Sequence, residues 1–354
     1  MNAAQPVYLT SAGAVTSLGF DLPSTAAAIR AAVDNFRETH FIDGQGERIA
    51  AGRIDRDDDE SRLGGSEHLA ALLAMAIEEC LQSSGIQLPL AENVPLFLLG
   101  DDTRPKPFLE TAYACHAHCS RFFKRPEQLH MQAFTAGESS CIAALLAARE
   151  FLARGAPHVL IAGVDSWLSV ADIDFALETG RLLSSGQAAG FVPGEAASAV
   201  LVSARPNSAH DLVVAGIGEA QEPASLFAEE ICVGRGLASA IKAALRQAGR
   251  DASEISLRLT DLAGEDYFFE EAAYAWARVL RESLPPEYRF SQPATRTGHV
   301  GAAFGPLLLG YAWQLGRCGR LPGPHTLIHL SSAQPLRGAL VISQPQHRSR
   351  QEFA

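Results

Sequence analysis

Lysine is nearly missing: it occurs at three positions (Lys106, Lys124, Lys242), and the rest of the 29 basic residues are arginine. Against 40 acidic residues the formal net charge is -11, and no run of Lys or Arg offsets it, which argues against a nucleic-acid surface. No apolar run approaches the ~18 residues of a membrane helix, so no membrane insertion is expected. A Gly-Lys-Ser/Thr phosphate loop is lacking, and no Gly-x-Gly-x-x-Gly opens a helix, so neither a nucleotide nor any other cofactor is expected. A secretory leader is not expected either, because residues 1–5 run straight into the strand-like Val7-Tyr8-Leu9. The six cysteines, at 80, 115, 119, 141, 232 and 318, lie mostly within apolar segments and read as reduced thiols of a cytoplasmic protein.

What is present is a chain of 354 residues, 47% hydrophobic, able to bury one large core or two ordinary ones. Short strand-like and longer helical stretches alternate, which predicts an α/β architecture. Strands are expected over Val7–Thr16, Val94–Leu99, Leu129–Thr135, His158–Val164 and Ser198–Ser203. Helices are expected over His68–Gln82, Phe108–Phe123 and Glu138–Ala153. The theme repeats with strands at Asp211–Gly218, Leu257–Ala263, Thr326–Ser331 and Gly338–Ser343, and helices at Gly234–Ala248, Glu270–Glu282 and His299–Gly316. No identity between the two halves is visible, and Ala204–His210 reads as the connector.

Four segments together carry a resemblance. They are Gly13-Ala14-Val15-Thr16-Ser17-Leu18-Gly19, Arg154-Gly155-Ala156-Pro157-His158 running on to Val164, Gly190-Phe191-Val192-Pro193-Gly194-Glu195 running on to Val202, and Thr297-Gly298-His299. They resemble the β-ketoacyl synthases of the thiolase-like superfamily, most strongly from about 135 to 205. The resemblance implies a thiolase-like fold, a duplicated αβαβα five-layered core with a synthase-like half at 1–205 and a second half at 206–354. It also implies a two-fold dimer in which the strand at Leu129–Thr135 pairs across the axis.

The family places a nucleophilic cysteine at the head of the helix that leads into Arg154-Gly155. Here that position is Glu138, within Thr135-Ala136-Gly137-Glu138-Ser139-Ser140-Cys141. The field of a helix N-terminus favours an ionised carboxylate unless a dry cavity opposes it. Such a group is a poor acyl acceptor and repels a malonyl carboxylate. Glu138 therefore reads either as a residue satisfying the helix N-terminus or as part of a catalytic pair with His299. Cys141 sits a turn further along and reads as packing. Ser139 and Ser140 read as first-turn residues without a partnered base.

The family's other groups are also altered. Its first histidine matches Ala263 in Thr260-Asp261-Leu262-Ala263-Gly264-Glu265-Asp266, its lysine matches Ala294, and only the second histidine is kept, as His299. Arg296 is expected to point elsewhere in an extended segment, and Glu265 and Asp266 read as acidic residues leading a helix. The glycine-rich oxyanion loop is replaced by Ser331-Ser332-Ala333-Gln334-Pro335-Leu336-Arg337-Gly338-Ala339, in which Pro335 has no N–H.

Two other clusters read as bland. In Cys115-His116-Ala117-His118-Cys119 the cysteines share a helix face and the histidines do not, and the acidic stretch Ile54–Arg62 reads as a solvated loop, so no metal is expected. Gln344–Ala354 reads as a frayed terminus. Phe122-Phe123 and Phe268-Phe269 read as core, or as the wall of an acyl cavity.

Two functional readings follow. The first is a non-condensing synthase homologue acting as a structural or regulatory partner. It would be a chain-length-factor-like subunit or an adaptor, a homodimer or paired with an active synthase, with acyl carrier protein as a possible associate. The alternative is an acyltransferase or decarboxylase that works on acyl-thioesters with Glu138 and His299.

Overall fold

A computed structural model describes residues 6–54, 63–90 and 94–345, so most of the acidic stretch from 54 to 62 and of the polar terminus from 344 lies outside the described residues. The first part of the chain supplies β1 (Val7–Thr16), α1 (Leu22–Ala31), β2 (Arg37–Ile42), β3 (Arg48–Ala51), α2 (Ser66–Ser83), β4 (Leu96–Leu99), α3 (Leu109–Cys119), β5 (Met131–Phe134), α4 (Ser140–Ala153), β6 (His158–Ser166), α5 (Val170–Glu178) and β7 (Glu195–Ser203). The second supplies β8 (Leu212–Gln221), α6 (Arg235–Ala248), β9 (Leu257–Thr260), α7 (Asp266–Val279), β10 (Arg289–Ser291), α8 (Ala294–Thr297), α9 (Phe304–Arg317), β11 (His325–Ser331) and β12 (Leu336–Ser343).

The uninterrupted apolar runs of β6 and β7 are buried along almost their whole length, as expected of strands covered by helices on both faces. The main sheet runs β10-β9-β11-β12-β8-β1-β7-β6-β4-β5, and β2 and β3 form a separate hairpin. Read outward from the β1–β8 contact, the two directions are the same. In each unit the first strand is antiparallel to the last (β1–β7, β8–β12), and the last is antiparallel to the one before it (β7–β6, β12–β11). That one is parallel to the second strand (β6–β4, β11–β9), which is parallel to the third (β4–β5, β9–β10). The chain is therefore a structural duplication.

The duplication reaches single residues. A Cβ on Gly13 of β1 would lie 2.2 Å from the Ala76 carbonyl oxygen of α2, and one on Gly218 of β8 would lie 1.9 Å from the Ala240 carbonyl oxygen of α6. Only glycine lets the two backbones approach this closely.

Three apolar clusters define the layers. Helices α2 and α3 pack one outer face, α6 and α7 the other, and α4 and α9 share the cluster between them with strands of both units. This is the five-layered arrangement of the thiolase-like fold. The inner helices cross where a Cβ on Gly305 would lie 2.2 Å from the Cys141 Cβ.

Several boundaries differ from the sequence reading. The helix read from 138 begins at Ser140, because Gly137 takes φ +62 and residues 137–139 form a 3-10 turn. The helix read from 299 begins at Phe304, since Gly298 and Gly301 take φ +76 and +48. The segment carrying Arg296 is a short helix, α8, and not extended; its guanidinium reaches Asp34 at 3.2 Å. Phe122, Phe123 and Phe268 are core residues, whereas Phe269 is 37% exposed, so these pairs do not form one cavity wall.

Candidate functional site

Glu138 lies in the 3-10 turn ahead of α4, and His299 follows α8, so the two reach one another from the two structural units. Glu138 Oε1 is 3.3 Å from His299 Nε2, and the residues are 6% and 4% exposed. The residues flanking the start of α4 supply no side-chain cap, and the Glu138 carboxyl lies between the imidazole and its own backbone N–H. Burial is the larger force on this carboxyl, and the Asp101 and Asp261 charges add to it, pushing its pKa up to about 8. The dry site thus outweighs the helix field that the sequence reading invoked.

His299 is enclosed by rings, with centroids 4.7 Å from Phe191, 5.3 Å from Trp167 and 5.6 Å from Phe304. Its backbone N–H donates to the Val192 carbonyl at 2.7 Å and its carbonyl accepts from Gly194 N–H at 3.1 Å. The side chain is therefore fixed from both ends. Burial first, then the Arg181 and Arg104 charges, hold its pKa well below 6.5.

The rest of the site consists of polar groups that the sequence reading did not connect. Arg104 bonds Asp101 Oδ2 at 3.1 Å and the Ser166 carbonyl at 3.2 Å, contacts Asp165 Oδ1, and lies 4.2 Å from the Trp167 ring centroid. Asp165 Oδ2 accepts from Ala302 N–H at 2.8 Å, and burial raises the Asp165 pKa to about 6. Asp261 Oδ2 accepts from Ser331 N–H at 2.7 Å while burial raises its pKa to about 7. The signal for Asp165 and Asp261 was available: each is a polar residue at or just past the end of a fully buried strand, the edge where α/β sheets present their sites.

The altered positions are accommodated by packing. Ala263 lies against both the central cluster and the one holding Trp167 and Phe191. The next residue, Gly264, has φ +131, and a Cβ there would meet the Gly190 carbonyl oxygen at 2.3 Å. Glu265 takes a two-pronged bond from buried Arg181, at 2.7 and 3.2 Å. Glu265 is thus held as half of an ion pair beside the site, and Asp266 opens α7. Ala294 is 2% exposed within α8.

In the 331–339 loop, Arg337 is fully buried; it bonds both Glu271 oxygens at 2.7 and 2.9 Å and donates to the carbonyls of Ser332, Gln334 and Leu336. In the stretch read as the counterpart of the family's glycine-rich loop, a guanidinium thus collects carbonyls.

The thiols are elsewhere. Cys141 is fully buried, with a pKa pushed up to about 12 by burial. Ser139 Oγ donates to the Leu336 carbonyl at 3.2 Å, and Ser140 Oγ accepts from Ala136 N–H at 2.7 Å. Cys115 and Cys119 face the core, and His118 points out to Glu67 at 3.0 Å. Among the described residues, Glu222, Cys232 and Glu271 have ligand atoms within 4.8 Å of one another. Glu271 is already neutralised by Arg337, so this set does not fit a cation.

No family model matches the chain. It is 31% identical over 193 residues to the actinorhodin polyketide β-ketoacyl synthase 2 of Streptomyces coelicolor, covering 49% of this chain and 46% of that protein, so the match spans about half the length of the curated relative. Among solved structures it is similar to a ketosynthase in complex with its chain length factor from Xenorhabdus doucetiae (TM-score 0.73, 16% identity, 97% of this chain and 99% of that one). It is likewise similar to a β-ketoacyl synthase from Burkholderia phymatum (TM-score 0.72, 16% identity, 97% and 100% covered). The chain thus has the thiolase-like fold of these ketosynthase structures and is similar in sequence to a β-ketoacyl synthase over about half its length.

Proposed function

We propose that the chain is a non-condensing partner subunit of the ketosynthase type. The observation that carries this reading is Glu138: a buried carboxyl 3.3 Å from the retained histidine occupies the helix head where a condensing enzyme needs a thiol. A carboxylate attacking a thioester would give an anhydride, and a protonated carboxyl is a weaker nucleophile still. The loss of a second imidazole at Ala263 and the carbonyl-binding Arg337 in the oxyanion loop point the same way.

Association is supported by β5, the terminal strand of the main sheet among the described residues, and separately by the apolar side chains Leu109 (61% exposed) and Tyr113 (70%), one turn apart on α3. Structures similar to this chain include a ketosynthase with its chain length factor and a ketosynthase with its acyl-carrier protein. The proposed assembly is therefore a dimer, either with a second copy or with an active ketosynthase, serving an acyl-thioester pathway. Co-purification with a co-expressed ketosynthase, together with light scattering of the chain alone, tests it. A clean monomer that captures no synthase contradicts the reading.

A second reading rests on the carboxyl pKa near 8, which leaves Glu138 able to hold or release a proton near neutrality. It makes the chain an acyltransferase or decarboxylase acting on acyl-thioesters with Glu138 and His299. Release of CO₂ or free thiol from malonyl- or acyl-thioesters, abolished by Glu138→Ala, would establish it.

A further inference from the structure

Two N–H groups point at one nitrogen of His299. The Trp167 indole Nε1–H donates to His299 Nδ1 at 3.0 Å, and the Gly301 backbone N–H donates to the same atom at 3.2 Å. A neutral imidazole has one acceptor nitrogen and one N–H. Because Nδ1 is the acceptor for both donors, the ring proton must sit on Nε2, the nitrogen facing Glu138.

We infer that Trp167 is the positioning residue of this site, holding His299 as a fixed Nε2–H donor and removing it from service as a base. This follows from geometry alone and holds whether or not the chain acts on acyl-thioesters. Protonating Nδ1 would turn its lone pair into a third N–H aimed at two others in a nearly dry pocket. Rotating the ring away is opposed by Phe191 and Phe304 and by the backbone bonds on either side of residue 299.

The lock is itself supported. Arg104 lies over the indole face at 4.2 Å, where its positive charge is attracted to the ring. The same guanidinium contacts Asp165, which takes the Ala302 N–H and so keeps the 301–302 turn, and with it the Gly301 donor, in place. Asp165 and Trp167, two residues apart where β6 ends, therefore govern both donors to His299. The charged groups around the ring are Glu138, Arg181 and Arg104; the two cations disfavour an imidazolium and the carboxyl alone would favour it.

The test is nitrogen-15 NMR of the full chain, with His299 assigned by the resonances lost in His299→Gln. The wild type should show a single neutral Nε2–H tautomer, with one protonated and one unprotonated ring nitrogen, from about pH 6 to 8, while ionisation of Glu138 perturbs only the Nε2 resonance. Trp167→Phe keeps an aromatic ring and removes the donor, and should move the Nδ1 resonance while the Nε2 proton stays in place. If that variant fails to fold, the wild-type indole supplies the second measurement: its N–H should exchange slowly and shift in His299→Gln. A Nδ1–H tautomer, a His299 that titrates in this range, or an Nδ1 resonance indifferent to Trp167→Phe would overturn the assignment.

Discussion

Glu138 and His299 stand 3.3 Å apart, Glu138 within the turn that opens α4 and His299 just ahead of the equivalent turn that opens α9. The contact thus joins the two structural units, and α4 and α9 bring the pair together at the centre of the protein. What occupies the two positions decides the chemistry; the scaffold only delivers them.

The first prediction concerns pH and stability. The folded pKa of Glu138, about 8, is above its ordinary 4.5, so the native state holds a proton that the unfolded chain has released between those values. Its contribution to stability is complete below 4.5 and is lost as pH rises through about 8, at up to about 1.4 kcal/mol per pH unit. Asp261 and Asp165, raised to about 7 and 6, act in the same direction. Glu138→Gln should flatten this decline, gaining on the wild type in urea denaturation as pH goes from 5 to 8. Parallel pH profiles for the two proteins would show that the carboxyl is ionised throughout.

A second prediction concerns Arg337. It and Glu271 are both fully buried, and removing the guanidinium strands a carboxylate and three carbonyls. Arg337→Met should cost about 3–5 kcal/mol by denaturant titration. The double variant Arg337→Met with Glu271→Leu should recover part of that loss, because the isolated buried charge goes with it.

Thiol reactivity gives a third. Cys318 is exposed and Cys232 is partly so, while Cys141 and Cys80 are fully buried with pKa values pushed up to about 12. Alkylation read by peptide mass should modify Cys318 first and leave Cys141 unmodified until the chain unfolds. Rapid labelling of Cys141 in the native protein would place a usable thiol near the site.

Much of the fold was legible because burial on both faces writes long apolar runs, as in β6, β7 and α9. The elements missed carry weaker patterns. Helix α1 is alanine-rich with few buried positions, although Asp21 capping Ser24 N–H and Pro23 in its first turn were readable signs. The β2–β3 hairpin buries only alternate residues. The duplication was implied by the family resemblance and not visible as residue identity, because the two units share backbone geometry and glycine contacts, not side chains.

For the site, Glu138 and His299 were readable through the family resemblance, since both occupy fixed offsets within motifs. Arg104 and Trp167 were not, and Asp165 and Asp261 carried only the weaker sign of polar residues at strand ends; none of the four was connected to the site. They come from three separate segments, and their meeting depends on strand order and on the burial that makes each polar group seek a partner. Whether the helix field or a dry cavity wins at Glu138 could not be read from the sequence, because desolvation is a property of the closed structure.

A fourth prediction addresses association. Tyr113→Arg and Leu109→Glu, on the exposed face of α3, should leave folding intact by circular dichroism and shift the mass by light scattering toward the monomer. An unchanged dimer mass would place the contact elsewhere.

The most direct measurement is intact-protein mass after incubation with acyl- and malonyl-loaded carrier protein, with products read alongside. The account predicts no acyl adduct on the chain and no condensed product, for the wild type and for Glu138→Ala alike. An adduct at a cysteine, or a condensed product made by the chain alone, would contradict it.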